Sequence, residues 1–166
     1  MSALKAGDSF PEGVTFTYVA PSGDTDLTVC GLPIQYDASK EFANKKVVLV
    51  AVPGAFTPTC QQQHVPSYLA KLEEFKSKGV DQIIFIASND AWVMAAWGKA
   101  NGVKDESILF MSDADCKFSK SIGWTQGDRT KRYAIVIDHG KVTYAELDEV
   151  PKSIANTGAD GVLAKL

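Results

Sequence analysis

Apolar positions along the chain change their spacing several times, and each change marks the start or end of an element. The segments "VTFTYVA" and "DLTVC" flank "PSGD", a turn-like cluster, so the pattern predicts an N-terminal hairpin or a pair of short strands, with Cys30 closing the second. "KKVVLVAV" is an unbroken β-branched run of the kind that fills a strand buried on both faces. In "QQQHVPSYLAKLEEFKSKG", Leu69, Leu72 and Phe75 recur at helical spacing, lysines cluster late and Gly79 supplies a stop, which predicts one helix. "DQIIFIAS" reads as a second buried strand, and "NDAWVMAAWGKANG" opens on cap-type residues and closes on Asn-Gly, as a helix does. Trp92, Met94 and Trp97 make that helix an apolar segment suited to core or subunit contact. "ILFMSD" predicts a third strand, "CKFSKSIG" a short helix, "RYAIVIDHGKVTYAEL" two strands around "DHG", and "SIANTGADGVLAKL" a closing helix.

Strands that alternate with helices require right-handed parallel crossovers, and the late hairpin adds antiparallel strands. The expected fold class is therefore α/β, a mixed central sheet with helices on both faces and an N-terminal hairpin. At 166 residues the chain has the length of one ordinary domain, and 1–166 is expected to form a single unit without internal repeats or a linker. A hydrophobic share of 45% with 22% charged residues fits a globular protein. Seventeen basic against 20 acidic side chains leave a net charge of -3, which offers no footprint for nucleic acid or an anionic membrane and points to small molecules or proteins as partners. "MSALKAGDSFPEG" has no apolar signal core, and no run approaches the roughly 18 residues of a bilayer span, so an intracellular protein without a membrane span is expected. The three cysteines, Cys30, Cys60 and Cys116, are odd in number and widely spaced, unlike a disulfide framework, so in a reducing compartment they are free or catalytic.

The chemistry concentrates in "PGAFTPTC", Pro53 to Cys60, where the buried strand gives way to a helix. A cysteine in the first helical turn faces unpaired N–H groups and the positive end of the helix dipole, and both favour the nucleophilic thiolate. Pro53 and Pro58 stiffen the loop and withhold N–H donors, while Thr57, about one turn before Cys60, can set its hydroxyl beside the sulfur. Together they describe a rigid, partly dry pocket for a small oxygen-rich substrate. Taken singly, each residue has a plainer reading: Cys60 as a small buried apolar group, Thr57 as a helix cap, Arg132 as a solvated charge at a strand start. His64 and Cys60 have the spacing of half a zinc site, but no second pair of ligands stands at suitable spacing, and His64 is read as a structural histidine.

"PGAFTPTC", with "HVP" four residues on, resembles the active-site signature of the peroxiredoxins, and "NDAWVMAAWGK" and "KRYAIVI" resemble their type-five, or type-II, branch with its plant and fungal members. The resemblance covers nearly the whole chain. It implies a thioredoxin-like fold, a homodimer, and reduction of hydrogen peroxide or organic hydroperoxides with no cofactor. On the matching positions it implies that Cys60 is peroxidatic, that Thr57 hydrogen-bonds the sulfur and the peroxide, and that Pro53 shields the intermediate. Arg132, in "KRYAIVI", would keep the thiolate charged and orient the peroxide through paired N–H donors, with Arg129 a nearby competitor for that place.

Cys30 and Cys116 compete to resolve the sulfenic acid formed on Cys60. Animal type-five members carry the resolving cysteine near the C-terminus, where "GADGVLAKL" has none. Fungal relatives match Cys30, and Cys116 falls where the family usually has a small residue. The resemblance thus implies Cys30 as the resolving residue, a homodimer that is disulfide-linked when oxidised, and a thioredoxin-type reductant. A rival function is a peroxide sensor or relay in which oxidised Cys60 passes its oxidation to a partner protein without turnover. A glutaredoxin-like oxidoreductase is disfavoured because no C-x-x-C is present. The final "AKL" resembles the Ser-Lys-Leu peroxisomal address, so a peroxisomal location, a cytoplasmic one, or both are expected.

Overall fold

A computed structural model describes residues 2–166. Strands β1 (Thr15–Tyr18) and β2 (Ile34–Asp37) lead into a short helix α1 (Ala38–Glu41), and β3 (Lys46–Ala51) ends just before Pro53. The helical stretch beyond the loop comprises a π-wound turn over Cys60–His64, then α2 (Val65–Leu69) and α3 (Leu72–Ser77). There follow β4 (Gln82–Ala87), α4 (Ala91–Ala100), β5 (Ile108–Ser112), α5 (Lys117–Ser121), a small ribbon of β6 (Thr125–Gln126) and β7 (Arg129–Thr130), the hairpin of β8 (Tyr133–Asp138) and β9 (Lys141–Leu147), and α6 (Ala159–Leu163).

Seven strands form one sheet in the order β2-β1-β5-β4-β3-β8-β9. β3, β4 and β5 run parallel, β8 joins β3 antiparallel, and β1 closes on β5 antiparallel. The unbroken apolar runs follow from burial on both faces. Val48, Val50 and Phe85 pack with Tyr68, Trp97 and Val162 from α2, α4 and α6, whereas Val47, Leu49, Ile84 and Ile86 pack with Phe16, Phe42 and Phe118 on the other side. Helices thus cover both faces, and the C-terminal ends of β3 and β4 converge on the Pro53 loop. Among the described residues no helix is long and apolar enough to cross a membrane.

Three local expectations change. "DLTVC" is not a strand: β1 pairs with Ile34–Asp37 in the register Thr15↔Asp37, and Cys30 lies on the exposed loop between the two strands. Local polar bonds capture that segment, since Asp24 Oδ1 accepts from the Asp26 N–H at 2.7 Å and Asp26 Oδ1 from the Thr28 N–H at 2.8 Å. Such turns compete with a sheet ladder. The single helix after Cys60 is modified twice: Pro66 has no N–H to give the preceding turn, and the backbone widens so that the Val65 N–H donates to the Cys60 carbonyl, while non-helical Lys71 separates α2 from α3. Finally, the β8–β9 turn is the two-residue loop His139-Gly140 with φ of 48 and 82, so Asp138 pairs with Lys141.

Candidate active site

The end of β3 is fastened before the loop begins. The Val52 N–H donates to the Ile86 carbonyl at 3.0 Å, and the Val52 carbonyl accepts from Thr130 Oγ1 of the β6–β7 ribbon at 2.9 Å. Within the loop the Ala55 N–H donates to Asn89 Oδ1 at 2.9 Å and the Thr57 hydroxyl to the Gly54 carbonyl at 2.7 Å. Between them Phe56 holds φ at 62, a region that costs a bulky residue energy and persists only where neighbours impose it. Gly54 lies close to its neighbours, as a Cβ there would stand 3.1 Å from the Thr57 methyl, tighter than an ordinary contact, and 3.7 Å from Arg129 Nη1.

Cys60 is 1% exposed, and its Sγ accepts from Arg132 Nη2 at 3.2 Å. The other arm of the same guanidinium, Nη1, lies 2.8 Å from His64 Nδ1, and His64 Nε2 lies 2.9 Å from the Thr157 carbonyl. An arginine only donates, so Nδ1 is the acceptor and Nε2 carries the proton. Burial, reinforced by the Arg132 charge, pushes the His64 pKa down to about 3, so the ring stays uncharged. The π winding is what lets both residues reach one arginine: i→i+5 bonds make a turn of more than four residues, bringing positions 60 and 64 nearly into line.

The structure therefore gathers Cys60 and Arg132 directly and ties Thr57 to the same turn, with the Gln61 N–H donating to the Thr57 carbonyl at 2.8 Å. Pro53 opens the loop between the two fastenings. The Thr57 hydroxyl donates to the Gly54 carbonyl here, not to the sulfur. Arg129 is exposed on β7 with its guanidinium against Gly54, whereas Arg132 makes the bond to Cys60. Cys30 is not brought to Cys60: it is exposed on a loop that α4 holds through Lys99 Nζ to the Val29 carbonyl at 2.6 Å and Trp92 Nε1 to the Gly31 carbonyl at 3.1 Å. Cys116 is fully buried, its thiol donates to the Asp128 carbonyl at 3.4 Å, and burial followed by the Asp113 charge raises its pKa. His64 has both ring nitrogens engaged, which leaves neither for a metal. Asn89, Thr130 and Thr157 escape the sequence reading because each acts across a long separation in the chain.

Residues 5–163 match the redoxin family. The chain is 59% identical to Peroxiredoxin AHP1 of Chaetomium thermophilum over 100% of its own length and 96% of that protein. The chain is a peroxiredoxin of the redoxin family. This peroxiredoxin is also 47% identical to a Lipomyces kononenkoae protein provisionally named a peroxisomal peroxiredoxin, over 96% of its own length and 99% of that protein. Its fold matches that of reduced Prx3 from Vibrio vulnificus in complex with H2O2, with a TM-score of 0.81, 38% identity, and coverage of 97% of this chain and 94% of the other. The fold is thioredoxin-like, as expected, and the chain is a thiol peroxidase.

Proposed function

We propose that Cys60 is the peroxidatic residue, with Arg132 as its charge partner, Thr57 and Pro53 as the groups that orient and enclose the peroxide, and Cys30 as the resolving residue. The contact of Arg132 Nη2 with the buried Cys60 Sγ at 3.2 Å carries this reading. A guanidinium there donates to the sulfur and leaves further N–H groups for the substrate oxygens. The sulfur lone pair attacks the terminal peroxide oxygen, an S–O bond forms as the O–O bond breaks, and the leaving oxygen takes up a proton to depart as water or an alcohol. Sulfur is oxidised to the sulfenic acid and the peroxide is reduced.

The Cys30 thiol then attacks the sulfenic sulfur, releasing water and forming a disulfide, which a thioredoxin-type dithiol reduces by exchange. Exposure of Cys30 and burial of Cys60 support a step in which the first turn around Cys60 opens, because a disulfide needs Cα atoms within about 7 Å. The π-wound turn is the weak point at which that opening begins. In this reading the oxidised form is a homodimer linked by Cys30 of one chain and Cys60 of the other. The relative's name and the final "AKL" support a peroxisomal location, with or without a cytoplasmic pool.

Stopped-flow measurement of peroxide consumption by Cys60→Ser tests the core of the proposal: the reaction is expected to fall to background, and a wild-type rate would sink it. Peptide mapping after one equivalent of peroxide tests the second step. It is expected to recover Cys30–Cys60 between chains, and a Cys60–Cys116 bridge within one chain would remove Cys30 from the scheme.

A further inference from the structure

We propose that His64 is a positioning residue for Arg132: its Nδ1 lone pair takes one arm of the guanidinium so that the other stays aimed at the sulfur of Cys60. This inference rests on the reading of Cys60 and Arg132 as the reacting pair. Arg132 spans the two side chains, 2.8 Å to Nδ1 on one arm and 3.2 Å to Sγ on the other, so the plane of its fork is set by two points rather than one. An arginine held at the sulfur alone would keep several rotamers, and each wrong one would direct its donors away from the peroxide.

The imidazole is itself held from behind. Its Nε2–H donates to the Thr157 carbonyl, which also accepts from the Tyr68 hydroxyl at 2.7 Å, and the Thr157 N–H and hydroxyl both donate to Asp148 Oδ2 at 2.8 and 2.7 Å. A chain of fixed contacts thus runs from Asp148 through Thr157, His64 and Arg132 to Cys60. The ring is 0% exposed and lies edge-on to Phe85 with centroids 5.6 Å apart. The titratable and charged groups that face it are Arg132, Tyr68 and, beyond Thr157, Asp148.

The chemistry of the anchor matters as much as its place. A carboxylate in this position would grip Arg132 more firmly, but the resulting ion pair would turn the guanidinium's field away from the sulfur. Imidazole accepts a hydrogen bond and adds no charge, so Arg132 remains a full cation beside Cys60. A protonated ring would set N–H against N–H, and burial keeps that form out of reach at physiological pH.

Three variants separate positioning from mere core filling. His64→Asn keeps an acceptor close to the Nδ1 place, His64→Leu keeps bulk without an acceptor, and His64→Asp supplies a charged acceptor. For each folded variant, the rate with hydrogen peroxide is measured by stopped flow and the rate of iodoacetamide alkylation of Cys60 by peptide mass spectrometry at neutral pH. Losing a hydrogen bond to a charged group corresponds to roughly a ten- to hundredfold slower peroxide reaction for His64→Leu, with His64→Asn recovering to within about threefold of the wild type. His64→Asp is expected to slow alkylation about tenfold although its arginine stays anchored. A folded His64→Leu that reacts at the wild-type rate, or a His64→Asn as slow as His64→Leu, would overturn the inference. Should the leucine variant fail to fold, equal alkylation rates for His64→Asn and His64→Asp would overturn it as well. Retained activity in Cys60→Ser would instead bring down the reading of the reacting pair, so the two failures are distinct.

Discussion

The loop from Pro53 to His64 and the loop from residue 19 to 33 each carry a cysteine, yet they are held in opposite ways. The first is fastened from four directions, by Ile86 and Asn89 from β4 and the residues after it, by Thr130 from the ribbon, by Arg132 ahead of β8, and by Thr157 before α6. The second has exposed Leu27, Val29 and Leu32 on its surface and is attached to α4 chiefly through backbone carbonyls, which any similar chain would present to Lys99 and Trp92. Attack on a peroxide requires atoms placed to a fraction of an ångström, whereas a disulfide partner has to travel. Fastening and looseness are thus the two halves of one cycle in the proposed scheme.

Among the fastenings of the first loop, the largest effect is expected from Arg132→Lys. The charge remains, but a lysine cannot span His64 and Cys60 at once, so the peroxide rate should fall by about a hundredfold or more while the fold is retained. Near-normal kinetics in stopped flow would move the role to Arg129 and make the fastening at Arg132 incidental.

The next effect is in acid. His64 has a folded pKa of about 3 against 6.5 for the free side chain, so between those values the unfolded chain binds the proton and the folded chain does not. The stability contributed by this one residue is therefore full above 6.5 and is lost as pH falls toward 3, by about 1.4 kcal/mol for each unit. Carboxylates also titrate there, so the quantity to measure is the difference between the wild type and His64→Asn in denaturant unfolding at several pH values. The wild type should lose more on acidification, and parallel curves would show that the ring is not held uncharged.

Thr130→Val tests the fastening at the ribbon. Valine matches the bulk but leaves the Val52 carbonyl without its donor, and about 1 to 2 kcal/mol of unfolding free energy should go with it. An unchanged denaturation midpoint would mean that the ribbon does not brace the end of β3.

The sequence already showed what the sheet is made of, because β3, β4, β5 and β8 are runs whose both faces are apolar, a local property. It also singled out Cys60 as a candidate, because a proline-bounded loop before a helix is local too. What it concealed is pairing at a distance. Nothing near "DLTVC" announces that β1 prefers Ile34–Asp37, since the decision rests on Asp24 and Asp26 drawing the intervening backbone into turns. His64 looked structural for the same reason: its two polar contacts lie 68 and 93 residues away, and only the fold brings Arg132 and Thr157 to its ring. The π winding was equally hidden, although Pro66 was in plain view, because a proline can end a helix, kink it or widen it, and burial of Cys60 and His64 on one side selects among these.

The smallest expected effect belongs to the looser region. Lys99 Nζ donates to the Asp26 and Val29 carbonyls at 3.1 and 2.6 Å, and both bonds are exposed, so each contributes about 1 kcal/mol at most toward keeping the Cys30 loop on α4. Lys99→Met retains the apolar stem that lies along the loop and removes both donors. The loop should then leave α4 more often, which limited proteolysis within residues 19–33 would register as faster cleavage. If release of this loop is part of disulfide formation, the sulfenic acid on Cys60 should also be resolved faster, by about fivefold to tenfold for 1 kcal/mol or slightly more. The first reaction with peroxide should be unchanged, because Lys99 touches neither the Pro53 loop nor Arg132. Faster cleavage with an unchanged or slower disulfide step would show that the loop's attachment does not govern the reach of Cys30, and that opening of the Cys60 turn alone sets the pace.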